Sequence, residues 1–244
     1  MIKGIIFDLG STLLQFTGDS RSIEREGAEA VADWYLKKKH IKLDGPALVE
    51  AFLAERNAAR ASAIETQLEV TAQHSLREAL KKIDASATTG ALVEAAIKVY
   101  FAPEEAVWVA YPDAVDTLKQ LKSRGYRLGL YSNATDDPLI QRMVNQNGLR
   151  PWLSPTFSSA HWGWRKPKRE PLELIAGRWG LSPVEVVMVG DTLDTDILGA
   201  QNAGMPSILV TMNESRFNAH NRHIQPTAVA ETLSALPAII AQLG

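Results

Sequence analysis

Short, largely apolar runs that stop at a polar residue constrain this chain more than any other feature. GIIF (residues 4–7) halts at Asp8, YRLGLY (126–131) at Ser132-Asn133, and EVVMV (185–189) at Gly190-Asp191. Short runs of this kind, closed by turn residues, read as buried strands. Strands are expected over 2–7, 126–131, 156–158, 185–189 and 207–211. Between and beyond them apolar positions recur at helical spacing, so helices are expected over 113–124, 137–147, 170–179, 195–203 and 228–243. Gly125, Gly148, Gly180 and Gly204 stand where helices stop. Alternating strands and helices predict an α/β chain: a parallel sheet covered by helices on both faces.

Residues 21–101 break that alternation. Ile23, Val31, Trp34 and Tyr35, then Leu48, Val49, Phe52 and Leu53, Leu76, Leu80 and Ile83, and Leu92, Val93, Ile97 and Phe101 all fall at helical spacing. Four helices and no strand are expected, punctuated at Gly45-Pro46 and Thr89-Gly90. Residues 1–16 and 109–244 therefore read as one α/β core, and 17–108 as a helical insertion. In open parallel sheets the ligand crevice lies beyond the carboxyl ends of the strands. Asp8, Ser132-Asn133 and Asp191 all arrive at that edge. Any one of them could cap a helix; three arriving together make a site.

Bulk properties remove several function classes. With 244 residues the chain suits one large domain or a domain with an insert. A net charge of -2 gives no reason to expect nucleic acid or an acidic membrane as partner. There is no cysteine, which excludes disulfides, thiolate metal sites and a cysteine nucleophile. MIKGIIFDLG makes a poor signal peptide, and no apolar run approaches a membrane span. A cytoplasmic protein, monomer or homodimer, is the expectation.

Four segments, in order, resemble the haloacid dehalogenase (HAD) superfamily: FDLGST (7–12), LYSN (130–133), WRKP (164–167) and GDTLDTD (190–196). The resemblance covers roughly residues 1–15 and 109–244. It implies a Rossmann-like, three-layer α/β/α core with 17–108 as an inserted α-helical cap. It implies that Asp8 is the nucleophile, forming a phospho-aspartate. It further implies that Mg²⁺ is held by Asp8, the Gly10 carbonyl and Asp191, with Asp196 acting through a metal-bound water or by holding the lysine. Carboxylate and carbonyl oxygens are hard ligands suited to that ion. Ser132 and the Asn133 backbone would hold the phosphoryl group of a small phosphorylated substrate. Lys166, followed by Pro167, matches the family lysine and would supply a positive charge to nucleophile and phosphate; Lys168 fits only if the alignment is set on Pro171. Asp194 matches a variable position and is expected to be exposed or a helix N-cap.

The chain departs from the pattern at Gly10. Phosphatases of this family carry there a second aspartate that protonates the leaving alcohol, a transfer generally worth about 10² to 10⁴ in rate. Three readings follow: a phosphatase whose acid is weakened or relocated; a 2-haloacid dehalogenase, in which halide leaves without a proton but the metal acids have no use; or an impaired protein that binds phosphorylated ligands or a partner. Outside the motifs, HWGW (161–164) could line the pocket or merely pack. RFNAHNRH (216–223) follows the last expected strand and could sit at the same edge, but reads as a solvated loop; LKKKH (36–40) reads as a solvated helix end favoured by the dipole. His74 in the helical block reads as structural.

Overall fold

The computed structural model describes every residue except 40, 42, 214, 215, 222 and 244, and no side chains at 38, 39, 216 and 217. The chain divides into two compact units, Met1–Phe16 with Val109–Gly244, and Thr17–Trp108.

The first unit is built on six parallel strands. These are β1 (Gly4–Phe7), β4 (Arg127–Ser132), β5 (Thr156–Ser158), β6 (Val186–Gly190), β7 (Ser207–Val210) and β8 (Ala228–Ala230). Their order across the sheet is β5-β4-β1-β6-β7-β8. The intervening numbers belong to β2 (Leu14–Phe16) and β3 (Trp108–Ala110), a short pair where the chain leaves this unit and returns. β1 lies at the centre, Phe7 in register with Leu130 on one side and Val189 on the other. GIIF is buried throughout, as a strand covered on both faces must be. On one face Ile6, Tyr131, Val186 and Met188 form a core with α8 (Glu170–Trp179) and α9 (Leu198–Asn202). Trp179 lies flat across two strands: a Cβ at Gly4 or at Gly129 would come within 2.8 Å of its ring. Alternation turns Ile5, Phe7, Leu128 and Leu130 to the opposite face, and α5 (Ala114–Ser123), in contact with β4, packs with α10 (Leu236–Gln242).

The second unit is helical: α1 (Ser20–Lys39), α2 (Gly45–Thr66), α3 (Ala72–Ile83) and α4 (Gly90–Val107), with a 3₁₀ turn at Ala85–Thr88. Gly45-Pro46 and Thr89-Gly90 fall at helix starts. Asp44 caps α2 by accepting from the Ala47 N–H, and Thr71 caps α3 through the His74 N–H. Val31, Tyr35, Leu48, Phe52, Leu76, Leu80, Val93, Ile97 and Tyr100 are buried, with Phe52 and Tyr100 edge to face at 4.8 Å. Gly27 lets α1 approach α4: a Cβ there would fall 2.3 Å from the Tyr100 carbonyl oxygen. The solvated end expected at 36–40 lies largely outside the described side chains.

Two expectations need correction. Residues 228–230 are not the start of the last helix but an edge strand paired with β7, Ile208 against Ala228; regular helix begins only at Leu236. The helix expected over 195–203 opens as a π turn, Leu193–Ile197, before α9. Among the described residues no helix is long and apolar enough to cross a membrane.

Candidate active site

Three adjacent strands, β4, β1 and β6, end side by side. Asp8 follows β1, its N–H donating to the Val189 carbonyl at 2.9 Å and so extending the ladder by one residue. Ser132 is the last residue of β4, with Asn133 directly after it, and Asp191 follows Gly190 at the end of β6. Asp196 returns to the same place because the chain coils into the π turn. Its carboxylate accepts from the Thr192 N–H at 3.0 Å and lies against Gly190, where a Cβ would fall 2.3 Å from the carboxylate carbon. Only a residue without a side chain leaves that acid its position.

Lys166 enters from the turn before α8. Its Nζ donates to Asp8 Oδ1 at 2.5 Å and to the Tyr131 carbonyl at 2.9 Å, and lies 2.7 Å from Asp196 Oδ1. The Asn133 side chain fixes this segment from below, donating to the Lys166 carbonyl at 2.9 Å and accepting from the Lys166 N–H at 2.8 Å. The structure thus brings Lys166 to the acids. Lys168 sits in the next turn, half-buried, its N–H on the Arg165 carbonyl. Asp191 is held by hydroxyls, Thr12 at 3.3 Å on one oxygen and Thr192 at 3.1 Å on the other. Gly10 and Ser11 form the turn after Asp8. Ser11 takes a left-handed backbone, φ 58°, where a glycine would sit without strain.

Asp8, Ser132, Lys166, Asp191 and Asp196 are all buried. Burial pushes the Asp8 carboxyl up to about 7, Lys166 opposing and the other two acids adding to the rise. Burial and the Asp196 charge push Asp191 to about 6. Burial alone would lower the Lys166 ammonium, but Asp196 and Asp8 outweigh it and raise it.

Oxygens of Asp8, Asp191 and Asp196 lie within 4.8 Å of one another. Asp196 Oδ1 is buried and has the Lys166 ammonium 2.7 Å away. Crowded and all-oxygen, this trio fits a hard divalent cation.

Asp194 is neither exposed nor an N-cap. It is half-buried, its carboxyl raised by burial and bonded by Asn221, and Thr192 precedes the π turn instead. HWGW packs: Trp162 stacks on Tyr131 at 5.7 Å and against Phe157 at 4.3 Å. Sequence reasoning missed Thr192, the grip of the Asn133 side chain on Lys166, and Asn218, whose signal was hidden in a segment that reads as loop.

An acid closing the central strand, ion-paired to a buried lysine and flanked by two more acids, marks an α/β enzyme core of the hydrolase kind. The chain belongs to the haloacid dehalogenase-like hydrolase family, whose pattern it matches over residues 2–204. It is 34% identical over 123 residues to the glyceraldehyde 3-phosphate phosphatase of Methanothermobacter thermautotrophicus, covering 50% of this chain and 53% of that protein. It thus spans about half the length of that relative. A protein of the same name from Methanocaldococcus jannaschii is 25% identical over 211 residues, 86% of this chain and 85% of that one. The phosphoglycolate phosphatase of Escherichia coli (strain K12) is 29% identical over 130 residues, 53% and 50% of the two chains. Among solved structures, a 2-haloacid dehalogenase from Pseudomonas syringae pv. Tomato DC3000 superposes with a TM-score of 0.73, 24% identity and full coverage of both chains. At that identity the likeness speaks for the fold alone.

Proposed function

We propose that this chain is a Mg²⁺-dependent phosphatase acting on small phosphate monoesters through a phospho-aspartate on Asp8. The observation that carries the reading is the presence of Asp191 and Asp196 beside the buried Asp8–Lys166 pair: the pair alone could serve halide displacement, but two further acids suited to a metal ion make little sense there. The similarity to proteins named as phosphatases supports it. Asp8, Asp191 and Asp196, with the Gly10 carbonyl, would hold the ion. When bound, Mg²⁺ would offset charge on the phosphoryl oxygens and keep the crowded carboxylates ionised.

The remaining work falls to the chain's own groups. Lys166 orients the Asp8 carboxylate and places a positive charge beside it. Asp8 attacks phosphorus in line, the P–O bond to the alcohol breaks, and the alcohol oxygen leaves with the electron pair. Ser132 and the Asn133 backbone N–H hold the equatorial oxygens; the Asn133 side chain, spent on Lys166, keeps that frame rigid. Water then cleaves the acyl phosphate and restores Asp8. Without an acid at residue 10, the leaving group takes its proton from water or Ser11, which favours good leaving groups such as acyl or sugar 1-phosphates. The helical unit would serve as the cap that selects substrate and excludes water.

A panel of phosphate esters with and without Mg²⁺, including glyceraldehyde 3-phosphate, phosphoglycolate and haloacids, tests the reading. Phosphate release should disappear in Asp8→Asn and rise in Gly10→Asp. Halide release without metal would make it a dehalogenase. No turnover alongside retained phosphate binding would make it a binding protein.

A further inference from the structure

The segment after β7 closes over the acidic turn. Its 3₁₀ turn, Arg216–His220, places Asn218 astride the chain beyond β6. Asn218 Nδ2 donates to the Asp191 carbonyl at 2.8 Å, and Asn218 Oδ1 accepts from the Leu193 N–H at 2.8 Å. One amide thus satisfies an acceptor and a donor two residues apart. Those two backbone groups flank Thr192, whose hydroxyl bonds Asp191 and whose N–H bonds Asp196. Around this contact Asn221 bonds the Asp194 carboxyl, and buried Ile224 packs with Leu193 and Ile197. Farther along, Asn213 donates to the Tyr111 hydroxyl at 2.6 Å.

We propose that Asn218 is the positioning residue for the metal-binding acids, clasping the 191–193 backbone so that Asp191 and Asp196 face Asp8 before any ion arrives. This rests on the Mg²⁺ site proposed above. The physical ground is bidentate geometry. The Thr192 N–H already bonds Asp196, and the Thr192 carbonyl already accepts from the Asp196 and Ile197 N–H groups, so the Asn218 amide adds an outside tie to each of the two peptide planes around Thr192. Two bonds from one rigid amide anchor both planes to a segment outside the turn, and with them the direction in which the Asp191 side chain leaves the backbone. Groups that hold a ligand from behind typically set metal affinity or activity within a factor of about 10 to 100.

The test is Mg²⁺ binding to the metal-free full chain by titration calorimetry, with kcat and KM at saturating Mg²⁺ and thermal melting as a folding check. Asn218→Ala should weaken Mg²⁺ binding by about 10- to 100-fold and lower kcat more than it raises KM. Asn213→Ala, which loosens the same segment at its other anchor, should change Mg²⁺ affinity less than about threefold, since it touches neither 191 nor 193. Mg²⁺ affinity in Asn218→Ala within about twofold of wild type would overturn the clasp while leaving the metal site standing. An equal loss in Asn213→Ala would also overturn it, because order of the segment rather than the Asn218 bonds would then set affinity. Absence of Mg²⁺ uptake by the wild type would remove the metal site and the clasp together.

Discussion

At the scale of single residues, Asp8 and Asp191 stand out because each follows an apolar run, while Lys166 and Asp196 are picked out by resemblance of WRKP and GDTLDTD to a family pattern; the structure brings all four together. What sits around them was not legible. Asn133 announces itself as a residue at a strand end, yet nothing in LYSN says that its side chain will bind Lys166 33 residues away. Asn218 lies in a polar stretch whose composition resembles any solvated loop. Contacts of that kind depend on where the chain returns, which local patterns do not encode. Lys166 is the residue on which most of the local charge balance turns. Removing it leaves buried carboxylates uncompensated, a change that generally costs about 3–5 kcal/mol. Lys166→Met should therefore destabilise the metal-free protein, by at most about that much and most clearly near pH 8, above the value of about 7 to which Asp8 is raised, read by urea unfolding in the presence of chelator. The loss should shrink in mild acid, where Asp8 and Asp191 take up protons.

At the scale of elements, strands covered on both faces were read correctly because their apolar runs are continuous. β8 was not. AVAETLSALPAII carries apolar residues at helical spacing, and alanine and leucine favour helix. Pairing with the edge of β7 overrides that preference for Ala228–Ala230, and Pro237 sits in the first turn of the helix that follows. The π turn was equally invisible, since the return of Asp196 to lie against Gly190 is a contact that local patterns do not encode. Gly190→Ala should displace that acid, because a Cβ and the carboxylate carbon cannot share 2.3 Å. A shift of about 1 Å in a catalytic group can cost about 10²-fold in rate, so kcat should fall by about that factor. A crystal structure of the variant should show Asp196 moved away from Lys166.

At the scale of the whole molecule, the interruption of an alternating chain by helices was enough to mark 17–108 as distinct, and the two units separate at Phe16/Thr17 and Trp108/Val109. A linkage between fold stability and pH follows from the acids. Asp8 is raised from 3.8 to about 7 and Asp191 from 3.8 to about 6. Between these values the folded metal-free chain holds protons that the unfolded chain has lost. Their stabilising effect is full below the unfolded value and fades as pH rises through about 6 to 7. A cation bound by the same oxygens, as proposed, would take over from those protons. The rise in melting temperature on adding saturating Mg²⁺ should accordingly be larger near pH 8 than near pH 5.5, as scanning calorimetry would record.

Three carboxylates meet one ammonium in the same small space. Fully ionised, they leave two negative charges unanswered, and a phosphate ion approaching that field is repelled. The chemistry would thus acquire an order of arrival: the cation enters first, and the anionic guest is admitted only afterwards. Inorganic phosphate should bind negligibly to the chelator-treated protein and measurably once Mg²⁺ is restored, so that a ledger of charge serves as the doorkeeper.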